Sequence, residues 1–276
     1  LQIAREVVGL EPDLLLVYMG NNEVVGPYGA ADEQGFIGGA GVAIRAAIWL
    51  RGTRTGQLLA AVGRKLAPGK PGASAWRGMA TFVGRPVARQ DSKLRRTYEN
   101  FQYNLEEVLT LARGAGIPTL LCTVAANLSD NAPFHAGDDD ATQVYERGQA
   151  LWRKGDLDGA WQAFGEARDL DQLRFRVDGP LNRRIVDVAE AASDSQVRLV
   201  DIDQLVQRRA RLAAPGQPHP LLWEHVHFRF AGNYAVARAL APAAAALLGM
   251  PLESARLPTP EHCAAALAYT PWSAYQ

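Results

Sequence analysis

Apolar and polar positions alternate along the chain in two rhythms. Leu14-Leu15-Leu16-Val17-Tyr18-Met19 and Ile117-Pro118-Thr119-Leu120-Leu121-Cys122-Thr123-Val124 are short, nearly continuous apolar runs. Runs of this length suit strands of a parallel sheet that is covered on both faces. Val197-Arg198-Leu199-Val200-Asp201 reads as a third strand. Between these runs the spacing becomes helical. Asp91 or Ser92 is placed to cap a helix reaching about Arg113, with Leu94, Phe101, Leu105, Val108, Leu109 and Ala112 on one face. Gly114 and Gly116 end it at little steric cost. A helix is expected over about 180–192, with Leu181, Ile185, Val188 and Ala189 on one face, and an Ala-rich, closely packed one over about 232–248. The chain opens on Leu1-Gln2-Ile3-Ala4-Arg5-Glu6-Val7-Val8, an amphipathic helix already under way. Strand, helix, glycine and strand in this succession predict the α/β class, with a parallel sheet and right-handed crossovers.

Two stretches break the rhythm. Residues 26–90 are rich in Gly, with an apolar patch at 42–50 and basic residues as far as Lys70. Long irregular insertions in compact domains are usually functional, so this one is expected to be a loop or lid. In the second stretch, residues 141–174, Gly148, Gly155, Ala160, Phe164 and Ala167 stand at the spacings of a tetratricopeptide helix pair, which the segment resembles. Small residues let two helices approach, and Phe164 fills the groove between them. A lone repeat cannot bury its own apolar face, so it must dock on the main domain or on other repeats. An ordinary helical hairpin insertion is the alternative reading of the same residues.

Composition narrows the function classes. The 29 Lys plus Arg balance 29 Asp plus Glu, so no net field recommends nucleic acid or an anionic membrane as partner. Cys122 and Cys263 make no disulfide framework, and Cys122 lies inside an apolar run as a core residue would. No apolar stretch is long enough to span a bilayer; residues 235–250 come nearest and are interrupted by Arg238 and Pro242. The opening in mid-helix leads us to expect a truncated N-terminus. A targeting segment or membrane anchor upstream is compatible with this, and the compartment stays open.

The chemistry concentrates in two places. In Glu224-His225-Val226-His227 a carboxylate and an imidazole stand three residues apart on a loop that enters the last helix. A hydrolase needs a neutral imidazole beside its nucleophile and a carboxylate to orient the ring. Gly20-Asn21-Asn22-Glu23 follows the first strand. A side-chain amide at the carboxyl end of a parallel strand faces the crevice where α/β proteins bind ligands, and it can donate to an oxyanion. A plain turn explains the same residues by backbone preference alone. Three further clusters carry less. His225 and His227 beside Glu224 could ligate a metal, but His219 is the only nearby third ligand, and no metal or other cofactor is expected. Asp138-Asp139-Asp140 precedes a helix, where acidic residues suit the positive dipole end. Arg174 and Arg176 flank Phe175; either could hold an anionic substrate bidentately or serve in a structural ion pair.

Together, Gly20-Asn21-Asn22-Glu23 after an early strand and Glu224-His225-Val226-His227 before the terminal helix resemble the SGNH (GDSL-like) hydrolases. The resemblance implies a flavodoxin-like three-layer sandwich over residues 1–276, interrupted by the insertions at 26–90 and 141–174. It implies Asn22 as an oxyanion donor, His227 as the base, Glu224 in place of the family's Asp, and Gly20 at the substrate turn. It also implies hydrolysis of an ester, with a small-molecule or glycan ester as substrate. Two departures stand out. No Gly-Asp-Ser precedes Gly20, and Ser74, Ser92, Ser129, Ser193, Ser195, Ser254 and Ser273 lack that signature, so the nucleophile is expected upstream of Leu1 and the chain alone is expected to be inactive. Glu224 is one methylene longer than Asp and needs a shifted geometry to orient His227. A carbohydrate O-acetyltransferase or acetylesterase would use the same residues. A non-catalytic module that binds a protein partner through the helical hairpin is the reading from another class.

Overall fold

The computed structural model describes residues 1–26, 28–31, 41–66, 82–135, 140–192, 196–253, 257–270 and 272. Ser74, Ser193, Ser195, Ser254, Ser273, Asp138 and Asp139, and parts of the 26–90 insertion, lie outside them. The chain forms two compact units. One comprises Leu1–Met19, Leu105–Asn131 and Ile185–Gln276; the other comprises Gly20–Asn104 and Ala132–Arg184.

The first unit holds a parallel sheet of β1 (Leu15–Val17), β2 (Thr119–Cys122) and β3 (Val197–Val200), in the order β1-β2-β3. Leu15 is in register with Thr119, and Leu121 with Leu199. The βαβ expectation therefore holds: the chain is α/β with parallel strands. Each strand is shorter than its apolar run. In β2 the residues Leu120, Leu121 and Cys122 are fully buried, as a central strand requires. In β1 Leu16 is 45% exposed, because β1 pairs on one side only among the described residues. Cys122, Ala125, Ile202, Val206, Leu221 and Leu222 make a core cluster, with Tyr18, Phe228 and Ala235 packed against it.

Helix α8 (Ile202–Ala210) is an element missing from the expectations above, although Ile202, Leu205, Val206 and Ala210 stand at helical spacing. Its start is fixed by chemistry: Asp201 accepts a hydrogen bond from the Gln204 N–H at 2.9 Å, the N-cap role. Thr123 at the end of β2 donates to the same Asp201 oxygen at 2.7 Å and accepts from the Asp203 N–H at 3.0 Å. The carboxyl ends of β2 and β3 are thereby tied to the head of α8. Helix α9 (Phe230–Leu247) lies against β2 and β3. Expected as closely packed, it is mostly half-exposed, with only Gly232 buried, since its alanines form no continuous covered stripe. The unit also contains α1 (Gln2–Val8), none of whose residues is buried, and α10 (Pro260–Ala266), capped by Thr259. No helix among the described residues is long and apolar enough to cross a membrane.

Helices α4 (Ser92–Gly114) and α7 (Gly179–Ala191) have residues in both units. The apolar face read from the sequence of α4 is buried throughout, from Leu94 to Ala112. In the second unit the insertion at 26–90 is not irregular throughout. It contains α2 (Gly41–Gly52) and α3 (Arg54–Leu66), a helix pair whose glycines at 41, 52, 56 and 63 mask it as loop in a reading by composition. Helices α5 (Ala141–Arg153) and α6 (Leu157–Leu170) form an antiparallel pair joined at Gly155, which adopts φ 84°. At Gly148 an added Cβ would lie 2.7 Å from the Phe164 ring, so only glycine lets the two helices close to this distance. Trp152, Trp161 and Phe164 stack edge to face, with centroids 5.4–6.1 Å apart.

Candidate functional site

The segment that carries Glu224 and His227 is a tight excursion of the first unit. Leu222 and Phe228 form an antiparallel bridge. The Trp223 N–H donates to the His227 carbonyl at 2.8 Å, and the Arg229 N–H to the Leu221 carbonyl at 2.9 Å. Arg229 closes the neck, with Nε 2.9 Å from the Leu222 carbonyl and its guanidinium 4.4 Å over the Trp223 ring. Gly232 fits beneath: a Cβ there would come within 2.2 Å of the Leu221 carbonyl oxygen. On the other side, His219 Nδ1 accepts the N–H groups of Leu221 and Leu222, both at 3.1 Å.

The loop so held presents a carboxylate between two imidazoles. Glu224 Oε1 accepts the His227 N–H at 2.8 Å and the Val226 N–H at 3.2 Å, which folds the side chain back over its own turn. The same oxygen lies 2.7 Å from His227 Nδ1. Glu224 Oε2 is paired with His225 Nδ1. Burial alone would raise the Glu224 carboxyl. The backbone donors of His227 and Val226, together with the two imidazoles, outweigh it and hold the group below the ordinary carboxylate range. A carboxylate has no proton to give, so the nitrogens facing it carry the protons, and a neutral ring so held has its lone pair on the far nitrogen. The His227 side chain is 76% exposed, so its Nε2 can meet a reactant, whereas His225 is buried. The extra methylene of Glu224 is thus absorbed by the turn.

His219 does not join this group. It is buried, with Nδ1 engaged by backbone donors, and burial pushes it down to about 4, so it is neutral. Its Nε2 has no hydrogen-bond partner among the described residues. No three His, Cys, Asp or Glu side chains among the described residues are grouped to hold a metal ion.

The other candidates belong to the second unit. Gly20 is buried and adopts φ 155°, a conformation open to glycine. Asn22 is exposed, and its carbonyl accepts the Gly26 N–H within the turn. It is Asn21 whose side chain is tied down, its Oδ1 accepting the Val177 N–H at 3.0 Å. Burial raises the Glu23 carboxyl above its ordinary value. Arg176, for which the sequence leaves both an anionic substrate and a structural ion pair open, is buried, with Asp171 Oδ2 at 3.1 Å. Arg174 is likewise buried against Asp178 at 2.7 Å, and Tyr98 donates to the same Asp178 oxygen. The reason is burial: a guanidinium inside a unit needs a carboxylate beside it, and each Arg has one within five residues. Asp140 precedes α5 without capping it. Of the described serines, Ser92 is exposed at the head of α4 and Ser129 is buried in the loop after β2.

A groove of about 700 Å³ runs along α8 and α9 in the first unit. It is lined mainly by apolar side chains, including Leu205, Leu221, Phe230 and Ala235, with Arg209 and Arg238 among them. Its size is that of an ordinary small-molecule site. Phe230 is three positions beyond His227, a neighbour the sequence pattern gives no reason to single out. His225 is the other group that sequence reasoning misjudges, since its role depends on which way Glu224 turns. Comparison with protein families, with curated proteins and with solved structures finds no match to this chain.

Proposed function

We propose that this chain carries the base and acid members of a serine-type ester hydrolase of the SGNH kind. The observation that carries this reading is the 2.7 Å contact between Glu224 Oε1 and His227 Nδ1, with the far nitrogen of His227 turned to solvent. In the mechanism, His227 Nε2 takes the proton of a nucleophilic serine as its oxygen attacks the ester carbonyl. Glu224 holds the ring in the Nδ1–H tautomer and stabilises the imidazolium. His227 then returns the proton to the leaving alcohol, and water repeats the sequence on the acyl-enzyme. Asn22 is the oxyanion donor in this reading, and a small-molecule or glycan ester is the substrate. The apolar groove beginning at Phe230 suits the apolar part of such an ester.

The sheet supports a flavodoxin-like sandwich. Its strand order β1-β2-β3 matches the run 3-4-5 in the flavodoxin-like order 2-1-3-4-5. The side of β1 that pairs with no strand among the described residues is where that order seats a further strand. The α5–α6 pair is read as a tetratricopeptide-like insertion, supported by the Gly148–Phe164 fit, and as a surface for a protein partner. The 26–90 segment is read as a substrate-side lid.

The test is hydrolysis of short p-nitrophenyl esters by the full-length protein. His227→Ala should lower kcat/KM by roughly 10⁴-fold, and Glu224→Ala by somewhat less. Unchanged turnover in His227→Ala would overturn the assignment. Acetyl transfer to a sugar alcohol in place of water would favour the O-acetyltransferase reading.

A further inference from the structure

We infer that His225 is a positioning residue, a second clamp that fixes Glu224 so that its other oxygen stays on His227. A glutamate has one more rotatable bond than an aspartate, and the Glu224 side chain is 40% exposed. Left to itself it would exchange between its own turn and water, because ordering a flexible side chain costs conformational entropy. The turn supplies donors to Oε1 alone: the N–H groups of Val226 and His227 and the His227 ring. Oε2 is held by His225 Nδ1.

His225 is itself fixed by the fold. It is 8% exposed, and its carbonyl accepts the Asn127 N–H at 2.9 Å. Asn127 stands in the loop after β2, where its side-chain oxygen accepts the Asp130 N–H at 3.0 Å. The order imposed by β2 thus passes through His225 to the carboxylate, and from the carboxylate to the exposed ring. The two imidazoles meet edge to face with centroids 6.0 Å apart, so one cannot take the other's place on the carboxylate without moving the turn. In this arrangement one carboxylate fixes two tautomers. Only His227 can use the freed Nε2 on a reactant, because the buried ring cannot reach one.

The inference rests on Glu224 and His227 acting as a pair, but its test reads the ring and not turnover. Two-bond ¹H–¹⁵N correlation spectra of the chain at about pH 9, where imidazoles are neutral, report which nitrogen of His227 is protonated. The wild type is expected to show the Nδ1–H tautomer alone. His225→Asn, whose amide nitrogen can stand where Nδ1 stood, should keep it. His225→Gln, whose amide reaches the wrong place, and His225→Leu should lose it to a mixture of tautomers. The Asn and Gln variants are both polar and differ in reach, so the comparison survives if the Leu variant does not fold. His227 locked as Nδ1–H in both the Gln and Leu variants would make His225 a packing residue and overturn the inference, as would a tautomer mixture in the wild type. In the full-length protein, His225→Gln should lower kcat and leave KM unchanged. A locked tautomer in a full-length protein without esterase activity would sink the proposed function and leave the clamp standing.

Discussion

His219 and Glu224 sit a few residues apart and respond to acid in different ways. Glu224 is held below its ordinary range, so what it contributes to stability is present above the unfolded carboxylate value and is lost as pH falls through the folded one. The group is well exposed, and this contribution is small. His219 is the larger effect. Its folded value is about 4, against about 6.5 for a free imidazole, because burial disfavours its charged form. Below the free value the unfolded chain binds a proton that the folded chain does not. Stability should therefore fall as pH drops from about 6.5 towards 4, by roughly 2–3 kcal/mol in all. His219→Asn keeps an acceptor for the Leu221 and Leu222 N–H groups and removes the titration. Urea denaturation at about pH 7 and pH 4.5 should show the wild type losing stability and the variant holding most of its own; equal losses in both would refute the assignment to His219.

At the scale of elements, the excursion from Leu221 to Arg229 decides whether the dyad exists. Its neck depends on the glycine at the first turn of α9. A Cβ at Gly232 would stand 2.2 Å from the Leu221 oxygen and 2.7 Å from Phe228, and neither the backbone nor the half-buried, core-packed ring can yield cheaply. Gly232→Ala gains helix propensity, worth about 1 kcal/mol, yet overpacking of about 1–3 kcal/mol should outweigh it and leave a net loss of up to about 2 kcal/mol. We expect a lowered thermal midpoint and, on the proposed function, a loss of ester hydrolysis out of proportion to the loss of fold. A stabilised, fully active Gly232→Ala would refute this account. Elements were legible in the sequence to different degrees. Helix α4 could be read because six apolar positions keep one face over more than five turns. The pair α2 and α3 could not, since its glycines imitate a loop. Helix α8 was legible in part: Asp201 caps the Gln204 N–H three residues on, whereas the tie of its head to Thr123, 78 positions away, exists only in the closed chain.

For the molecule as a whole, the two units are stabilised differently. The first has an apolar core around a parallel sheet. The second buries charge: Arg174 with Asp178, and Arg176 with Asp171. Asp171 also accepts the N–H groups of Phe134, His135 and Leu173, at 2.9–3.1 Å, and so ties the backbone at 134–135 to its own stretch. Asp171→Ala leaves an uncompensated guanidinium inside the unit and should cost about 3–5 kcal/mol. Denaturation followed by the fluorescence of the tryptophans, which include the buried Trp152 and Trp161 of that unit, should show a midpoint lowered accordingly; an unchanged midpoint would mean the pair is replaceable by water.

By itself the sequence determined what depends on local order. The α/β class, the parallel strands, the faces of α4 and α7, the fit of Gly148 to Phe164 and the pairing of Glu224 with His227 all follow from residues near one another or from a repeating period. Tertiary structure decided what depends on distant neighbours. Arg176 stands in an ion pair because burial sets it against Asp171. His219 is neutral because the core surrounds the ring and disfavours its charged form. His225 became a clamp because the loop after β2 fixes its backbone and the turn sends the second oxygen of Glu224 towards it. A period in sequence records which face of an element avoids water; which partner waits on that face is set only when the chain has closed on itself.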